Sequence, residues 1–211
     1  MTQEERKEFI DQITELEWKF FDKVPNEGGR APCQDDRSTF RIMRSSQFLA
    51  WNDEMLESYM EDLMHALAEG RNPLTEKYGY MMCIAAPEEN KKLAEVLPQV
   101  SNDKKETARR IVSLLSEQNA VFAQKYPLTA RRARPLRAAD EREGGTTSVE
   151  RYQTGELWTY SLKTLTLMER HLKQLAEKGK SYPEEVIENS LKQRGFKSLA
   201  DAEAYLAARQ A

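Results

Sequence analysis

Phe9-Ile10-Asp11-Gln12-Ile13-Thr14-Glu15-Leu16-Glu17-Trp18-Lys19-Phe20-Phe21-Asp22-Lys23-Val24-Pro25 is the stretch that decides the fold. Its apolar residues Phe9, Ile10, Ile13, Leu16, Phe20 and Val24 return at the spacing that lines one face of an α-helix. Pro25 and Asn26-Glu27-Gly28-Gly29 then end the pattern. The same pattern comes back 102 residues later in Ile111-Val112-Ser113-Leu114-Leu115, Phe122 and Pro127, which take the places of residues 9–13, Phe20 and Pro25. Glu117 and Lys125 likewise replace Glu15 and Lys23.

Beyond a loop seven residues longer in the second copy, the shift becomes 109. On that register Thr39 meets Ser148, Asn52 meets Ser161, Leu56 meets Leu165, Leu63 meets Leu172 and Gly70 meets Gly179. Thr39, Ser148, Asn52 and Ser161 stand where helix N-caps belong, because their side-chain oxygens can accept from free backbone N–H groups. The two glycines stand where a helix needs a left-handed last residue. In the first copy the helices are expected at about 38–51, 53–69 and 75–84, with a fifth after Pro87 reaching Leu97-Pro98. No alternating strand pattern or hairpin turn interrupts them. The expected fold is therefore all-α, with about ten helices. They form two sequence-related five-helix units, at about 2–100 and 102–211, packed about a pseudo-two-fold axis as one domain.

Composition sets limits on function. Apolar residues make up 39% and charged residues 32% of the 211; that is enough apolar mass for a core. A net charge of −3 gives no general attraction to nucleic acid or to an anionic membrane. No run approaches the ~20 apolar residues of a membrane span, and the acidic start Met1-Thr2-Gln3-Glu4-Glu5 does not read as a secretory signal. Two cysteines, Cys33 and Cys83, suggest neither a disulfide framework nor a zinc site. A cytoplasmic protein is expected.

The polar residues that break the apolar stripes carry the functional expectation. On a wheel begun at Phe40, Arg44, Gln47 and Trp51 lie within about 60° of it. Val149, Gln153, Glu156 and Tyr160 form the matching stripe of the second copy. Buried polar groups need partners, so Arg44 and Glu156 either pair across the axis or line a pocket. Before this helix, Gly28-Gly29-Arg30-Ala31-Pro32-Cys33-Gln34-Asp35-Asp36 reads either as an anion cradle at a helix N-terminus or as a loop capped by its own aspartates. Arg30 recurs in kind as Arg134.

Other features carry less. Cys33 lacks a neighbouring base in sequence, and Asp62-x-x-His65 has no second pair, since Met168 stands three residues before His171; no metal site is expected. Glu76-Lys77-Tyr78-Gly79-Tyr80-Met81-Met82 reads as core packing, with Tyr78 or Tyr80 able to point a hydroxyl into a pocket. Arg131, Arg132, Arg134, Arg137 and Arg142 lie in a loop diluted by Asp140, Glu141 and Glu143, a solvated loop rather than a nucleic-acid surface. No motif names a cofactor.

The run at 28–36, followed by Phe40-Arg41-Ile42-Met43-Arg44-Ser45-Ser46-Gln47-Phe48, Glu69-Gly70-Arg71-Asn72 and Glu76-Lys77-Tyr78, resembles a bacterial and archaeal family catalogued as domain of unknown function 4125. Thr154-Gly155-Glu156-Leu157-Trp158-Thr159-Tyr160-Ser161 is similar to the same family, so the likeness spans nearly the whole chain. The resemblance implies no activity. Some relatives look fused to nucleotidyltransferase-like domains, which points faintly to small-molecule metabolism.

The expected function is binding of a small polar or anionic metabolite near the interface of the two units. Arg30 and Arg44 would hold negative charge, Gln47 and Glu156 would orient the ligand, and Trp51 and Tyr160 would wall the site. Gln34, Asp36, Tyr78 and Gln153 would complete the binding set, and Asp35 or Glu156 would act as acid or base if a reaction occurs. The alternative is a non-catalytic helical module that docks a protein partner.

Overall fold

Thr2 opens the first helix by accepting a hydrogen bond from the Glu5 amide at 3.2 Å, while the Glu5 carboxylate accepts from the Thr2 amide at 2.7 Å. Helix α1 (Gln3–Phe21) then buries Ile10, Ile13, Thr14, Glu17, Phe20 and Phe21. The computed structural model describes residues 1–26, 28–132, 134–142 and 145–209. Within them α1 is followed by α2 (Arg37–Leu49), α3 (Asp53–Ala68), α4 (Pro73–Ala85) and α5 (Lys91–Val96). Then come α6 (Asn102–Lys125), α7 (Pro127–Ala130), α8 (Val149–Leu157), α9 (Leu162–Glu177), α10 (Tyr182–Gln193) and α11 (Leu199–Ala208).

The described residues hold helices and no strands. There are eleven helices among them rather than ten, because Pro127 starts a one-turn helix inside the loop after α6. Glu27 and Glu143, read as loop residues, and the last two residues of the second unit, Gln210 and Ala211, lie outside the described residues. No described helix is long and apolar enough to cross a membrane.

Most of the expected punctuation sits where the sequence puts it. Asn52, Ser148 and Ser161 accept from the amides of Met55, Arg151 and Thr164 and cap α3, α8 and α9. Gly70 and Gly179 both have φ of +67°, and the amides that follow them reach back to Ala66 and Leu175 at 2.9 Å, the wrap that a left-handed last residue permits. Thr39 is a correction. Asp36 caps α2 instead, accepting from the Thr39 amide at 3.0 Å, because a carboxylate is the stronger acceptor at the positive end of a helix. Helix α1 also stops at Phe21 rather than beside Pro25. The Gln34 side-chain amide donates to the carbonyls of Phe21 and Val24 at 3.0 Å each and so satisfies the frayed end.

Packing interleaves the two halves of the chain. Helix α2 lies against α1 and α10, α8 lies against α6 and α4, and α3 lies against α9. One buried cluster unites Ile13, Phe48, Leu56 and Leu63 with Ile111, Leu115, Leu165 and Leu172. The α8–α4 approach depends on Gly155, where a Cβ would stand 2.6 Å from Met81 Cγ and 2.9 Å from the Lys77 carbonyl oxygen. A larger residue there would push α8 away from α4.

Candidate functional site

Charge lies at the centre of this core. Glu17, fully buried on α1, continues the stripe of Ile10 and Ile13. Arg44 on α2 grips it through two parallel hydrogen bonds, Nε to Oε2 and Nη2 to Oε1, both 2.6 Å. The Tyr59 hydroxyl on α3 donates to the same carboxylate at 2.5 Å. Arg44 Nη1 also donates to Gln47 Oε1 at 2.8 Å and to Glu156 Oε1 at 2.9 Å on α8. Glu156 further accepts from Lys77 Nζ of α4 at 2.5 Å, from the Tyr160 hydroxyl at 2.7 Å and from Gln47 Nε2 at 3.3 Å. Two buried cations thus face two buried anions, and each helix that brings one belongs to a different part of the chain.

The electrostatics follow from this pairing. Burial pushes the Glu156 carboxyl up, but Arg44 and Lys77 outweigh it and hold the group well below the usual carboxylate range. Burial opposes the charge on Arg44 and Lys77, yet the facing carboxylates raise both. Burial and the neighbouring carboxylates push the Tyr59 and Tyr160 hydroxyls well up, so both remain donors. Above the cluster Trp51 packs edge-on to Tyr59 at 5.4 Å and to Tyr160 at 6.1 Å, and its indole donates to the Tyr182 hydroxyl at 2.8 Å.

On the far side of Glu156 a cavity of about 250 Å³ opens between α2, α6, α8, α9 and α10. Apolar side chains such as Leu115, Leu157, Met168, Val186 and Ile187 form most of its wall. Gln47, Asn119, Gln153, Glu156, Tyr160 and Tyr182 bring polar atoms to it. Gln153 is one of the lining residues, and its side-chain oxygen is buried with no hydrogen-bond partner among the described residues, a costly state for a buried acceptor. Tyr152 walls one side, with Lys77 Nζ 3.6 Å from its ring centre and the exposed Arg134 guanidinium 5.0 Å from it.

Of the residues expected from sequence, the fold brings Gln47, Gln153, Glu156 and Tyr160 together at this cavity, with Arg44 behind them and Trp51 packed on Tyr160. Tyr78 is half-buried next to Lys77, outside the lining. The 28–36 loop lies elsewhere and ties itself down. Exposed Arg30 pairs with Asp22 at 2.6 Å and Asp35 at 2.7 Å and donates to the Gln34 carbonyl at 2.5 Å. Gln34 is the loop's buried hub, and Asp36 caps α2. Cys33 is exposed, and Asp62, rather than pairing with His65, accepts from the Ser161 amide at 2.9 Å and the Thr164 hydroxyl at 2.7 Å.

Glu17, Lys77, Asn119 and Tyr152 were not singled out. Their signal was the one that found Arg44: each of the first three is a polar residue on an apolar stripe, Ile13 to Glu17, Leu74 to Lys77 and Leu115 to Asn119. A second cleft, of about 380 Å³, holds Asp62, His65, Arg71, Glu76 and Lys104. Its polar groups serve one another: Asp62 is taken up as above, and Arg71 binds both oxygens of Glu76 at 3.0–3.1 Å.

A family model described as "Protein of unknown function (DUF4125)" matches residues 7–204. No curated protein and no solved structure matches the chain.

Proposed function

The chain belongs to the DUF4125 family, and we propose that it binds a small polar molecule in the cavity between α2, α6, α8, α9 and α10. The observation that carries this is that Gln153, a residue of the cavity wall, has a buried side-chain oxygen with no partner among the described residues. A concave, mostly apolar space with a few convergent polar groups is the usual form of a small-molecule site. Gln153, Asn119 and Gln47 would read the ligand, Tyr160 and Glu156 would form its floor, and Trp51 would hold that floor through Tyr160 and Tyr182.

Binding is better supported than catalysis. Glu156 is held as a carboxylate by two cations and a tyrosine, and Asp35 is an exposed partner of Arg30. Glu156 is therefore not poised to exchange a proton near neutral pH, and Asp35 lies outside the cavity lining. Docking of a partner protein has less to rest on, since the exposed large apolar residues are spread over α2, α3, α4, α5, α6, α9 and α11.

The reading includes the two five-helix units at about 2–100 and 102–211. What supports it is that the pairs of packed helices exchange under the register shift: α4 on α8 becomes α10 on α2, α1 on α2 becomes α6 on α8, and α3 on α9 maps onto itself. The residues bounding α3 and α9 also correspond at a shift of 109, as do the glycines that end them.

A thermal-shift screen of the purified chain against metabolites tests the site. A ligand held at a hundred times its dissociation constant should add about 2.7 kcal/mol of stability. Val186→Trp, which fills the cavity, should keep a cooperative transition and lose that response. A hit that stabilises the Trp variant equally would place binding elsewhere and overturn the proposal, and so would a screen in which no compound stabilises the wild type.

A further inference from the structure

The charges at the cavity floor balance. Arg44 and Lys77 face Glu17 and Glu156, and every one of the four is engaged by an oppositely charged partner within 2.9 Å. Glu156 alone accepts from four side chains: Arg44, Lys77, Gln47 and Tyr160. Arg44 has both edges of its guanidinium occupied. A ligand carboxylate or phosphate at this depth would find neither cation available, and an ammonium would find no carboxylate with capacity left. Either would be a buried charge without a counter-charge.

At the buried end the groups that remain are the amides of Gln153 and Asn119 and the Tyr182 hydroxyl, because Arg134, the cation of the lining, is exposed at the surface. Gln153 offers a buried oxygen with no donor, and Asn119 spends its amide nitrogen on the Leu115 carbonyl at 2.8 Å, which leaves its side-chain oxygen as the function it can offer. At shifts of 102 and 109, Asn119 and Gln153 stand where Glu17 and Arg44 stand in the first half, Met168 stands for Tyr59, and Val186 stands for Lys77. In the first half these places hold a charged, hydrogen-bonded cluster. In the second half they hold two neutral amides, Met168 and Val186, and all four line the cavity of about 250 Å³.

Resting on the cavity reading above, we infer that the ligand is uncharged at its buried end, where it donates a hydrogen bond to Gln153 and Asn119 from an amide, alcohol or ring N–H, and that its body is apolar. Tyr152, Met168 and Val186 supply the apolar surface for that body. The polar-or-anionic expectation from sequence thereby narrows to the neutral case.

Three probes of matched shape test this on the purified full chain by calorimetry: toluene, benzamide and benzoate. Toluene asks only whether the cavity admits a ring, as apolar cavities do. The expected result is that toluene and benzamide bind in competition and that benzoate binds at least about tenfold more weakly than benzamide. Gln153→Leu should weaken benzamide about tenfold, the effect of one buried hydrogen bond, while leaving toluene within about twofold. Benzoate binding as tightly as benzamide, or benzamide indifferent to Gln153→Leu, overturns the neutral-donor assignment with the cavity left standing. Failure of all three probes, toluene included, sinks the cavity reading itself.

Discussion

Replacing Glu17 with leucine removes the carboxylate that Arg44 holds at 2.6 Å through two nitrogens. The guanidinium then keeps only Gln47 and Glu156, and Glu156 already serves Lys77 at 2.5 Å, so two buried cations share one carboxylate. Breaking one side of a buried pair costs about 3–5 kcal/mol. The Tyr59 hydroxyl, which donates to Glu17, loses its acceptor at a further cost of about 1–3 kcal/mol, and the leucine side chain offsets a similar amount by apolar burial. The net loss should therefore stay near 3–5 kcal/mol, a large part of the ~5–15 kcal/mol that holds a typical domain. Arg44→Met should cost about as much, because Glu17 is 0% exposed and would keep only Tyr59. The double variant E17L/R44M removes one charge of each sign and leaves Glu156 with Lys77, Gln47 and Tyr160. It should lie within about 1–2 kcal/mol of wild type, so that the cycle returns a coupling of at least about 3 kcal/mol. Urea unfolding at neutral pH, followed through tryptophan fluorescence, measures all four proteins. Single variants that each lose less than about 1 kcal/mol, or a double variant as unstable as the two singles added together, would refute the pairing.

The acid limb of stability should carry a contribution from Glu169, whose carboxyl is brought down to about 2, chiefly by hydrogen bonds from Arg110 and with help from Lys173 against the effect of burial. A carboxyl lowered in the folded state stabilises above its unfolded value near 4.5, and that stability is lost as pH falls toward 2; with Arg110 half exposed, about 1–2 kcal/mol is expected. Glu169→Gln should flatten thermal midpoints over that pH range, and an unchanged slope would count against it. Gly155→Val should cost at least about 1–3 kcal/mol by overpacking α8 against Met81 and the Lys77 carbonyl, whereas Gly28→Ala, with open space around it, should cost little, as chemical denaturation would show. Gln34→Leu should strip the Phe21 and Val24 carbonyls and the Ala31 amide of their partner, costing about 2–3 kcal/mol and speeding proteolysis between α1 and α2 without altering binding at the cavity.

Much of the architecture was legible because it is local. The helices of the Phe9 and Ile111 stretches, the caps at Asn52, Ser148 and Ser161, and the turns at Gly70 and Gly179 depend on spacing and on backbone chemistry within a few residues. Polar residues on apolar stripes also marked Arg44, Gln47, Gln153 and Glu156, since a buried face can tolerate them only with partners. The same logic extended to α1 and α4 reaches Glu17 and Lys77. The 28–36 loop shows the limit: its composition suits an anion cradle and a self-capped turn equally, and only the positions of Asp22, Phe21 and Val24 tell them apart.

Sequence by itself determined that the chain is helical, where most helices begin and end, and which polar residues must be satisfied inside. Only the tertiary structure decided what satisfies them. Glu17 and Arg44 lie on neighbouring helices, Lys77 reaches Glu156 because Gly155 lets α8 approach α4, and Asn119 and Gln153 are left around a cavity with an oxygen unpaired. Periodicity reports which face of a helix is buried; it carries no information on which face of another helix, a hundred residues away, will meet it or fall short of filling the space between.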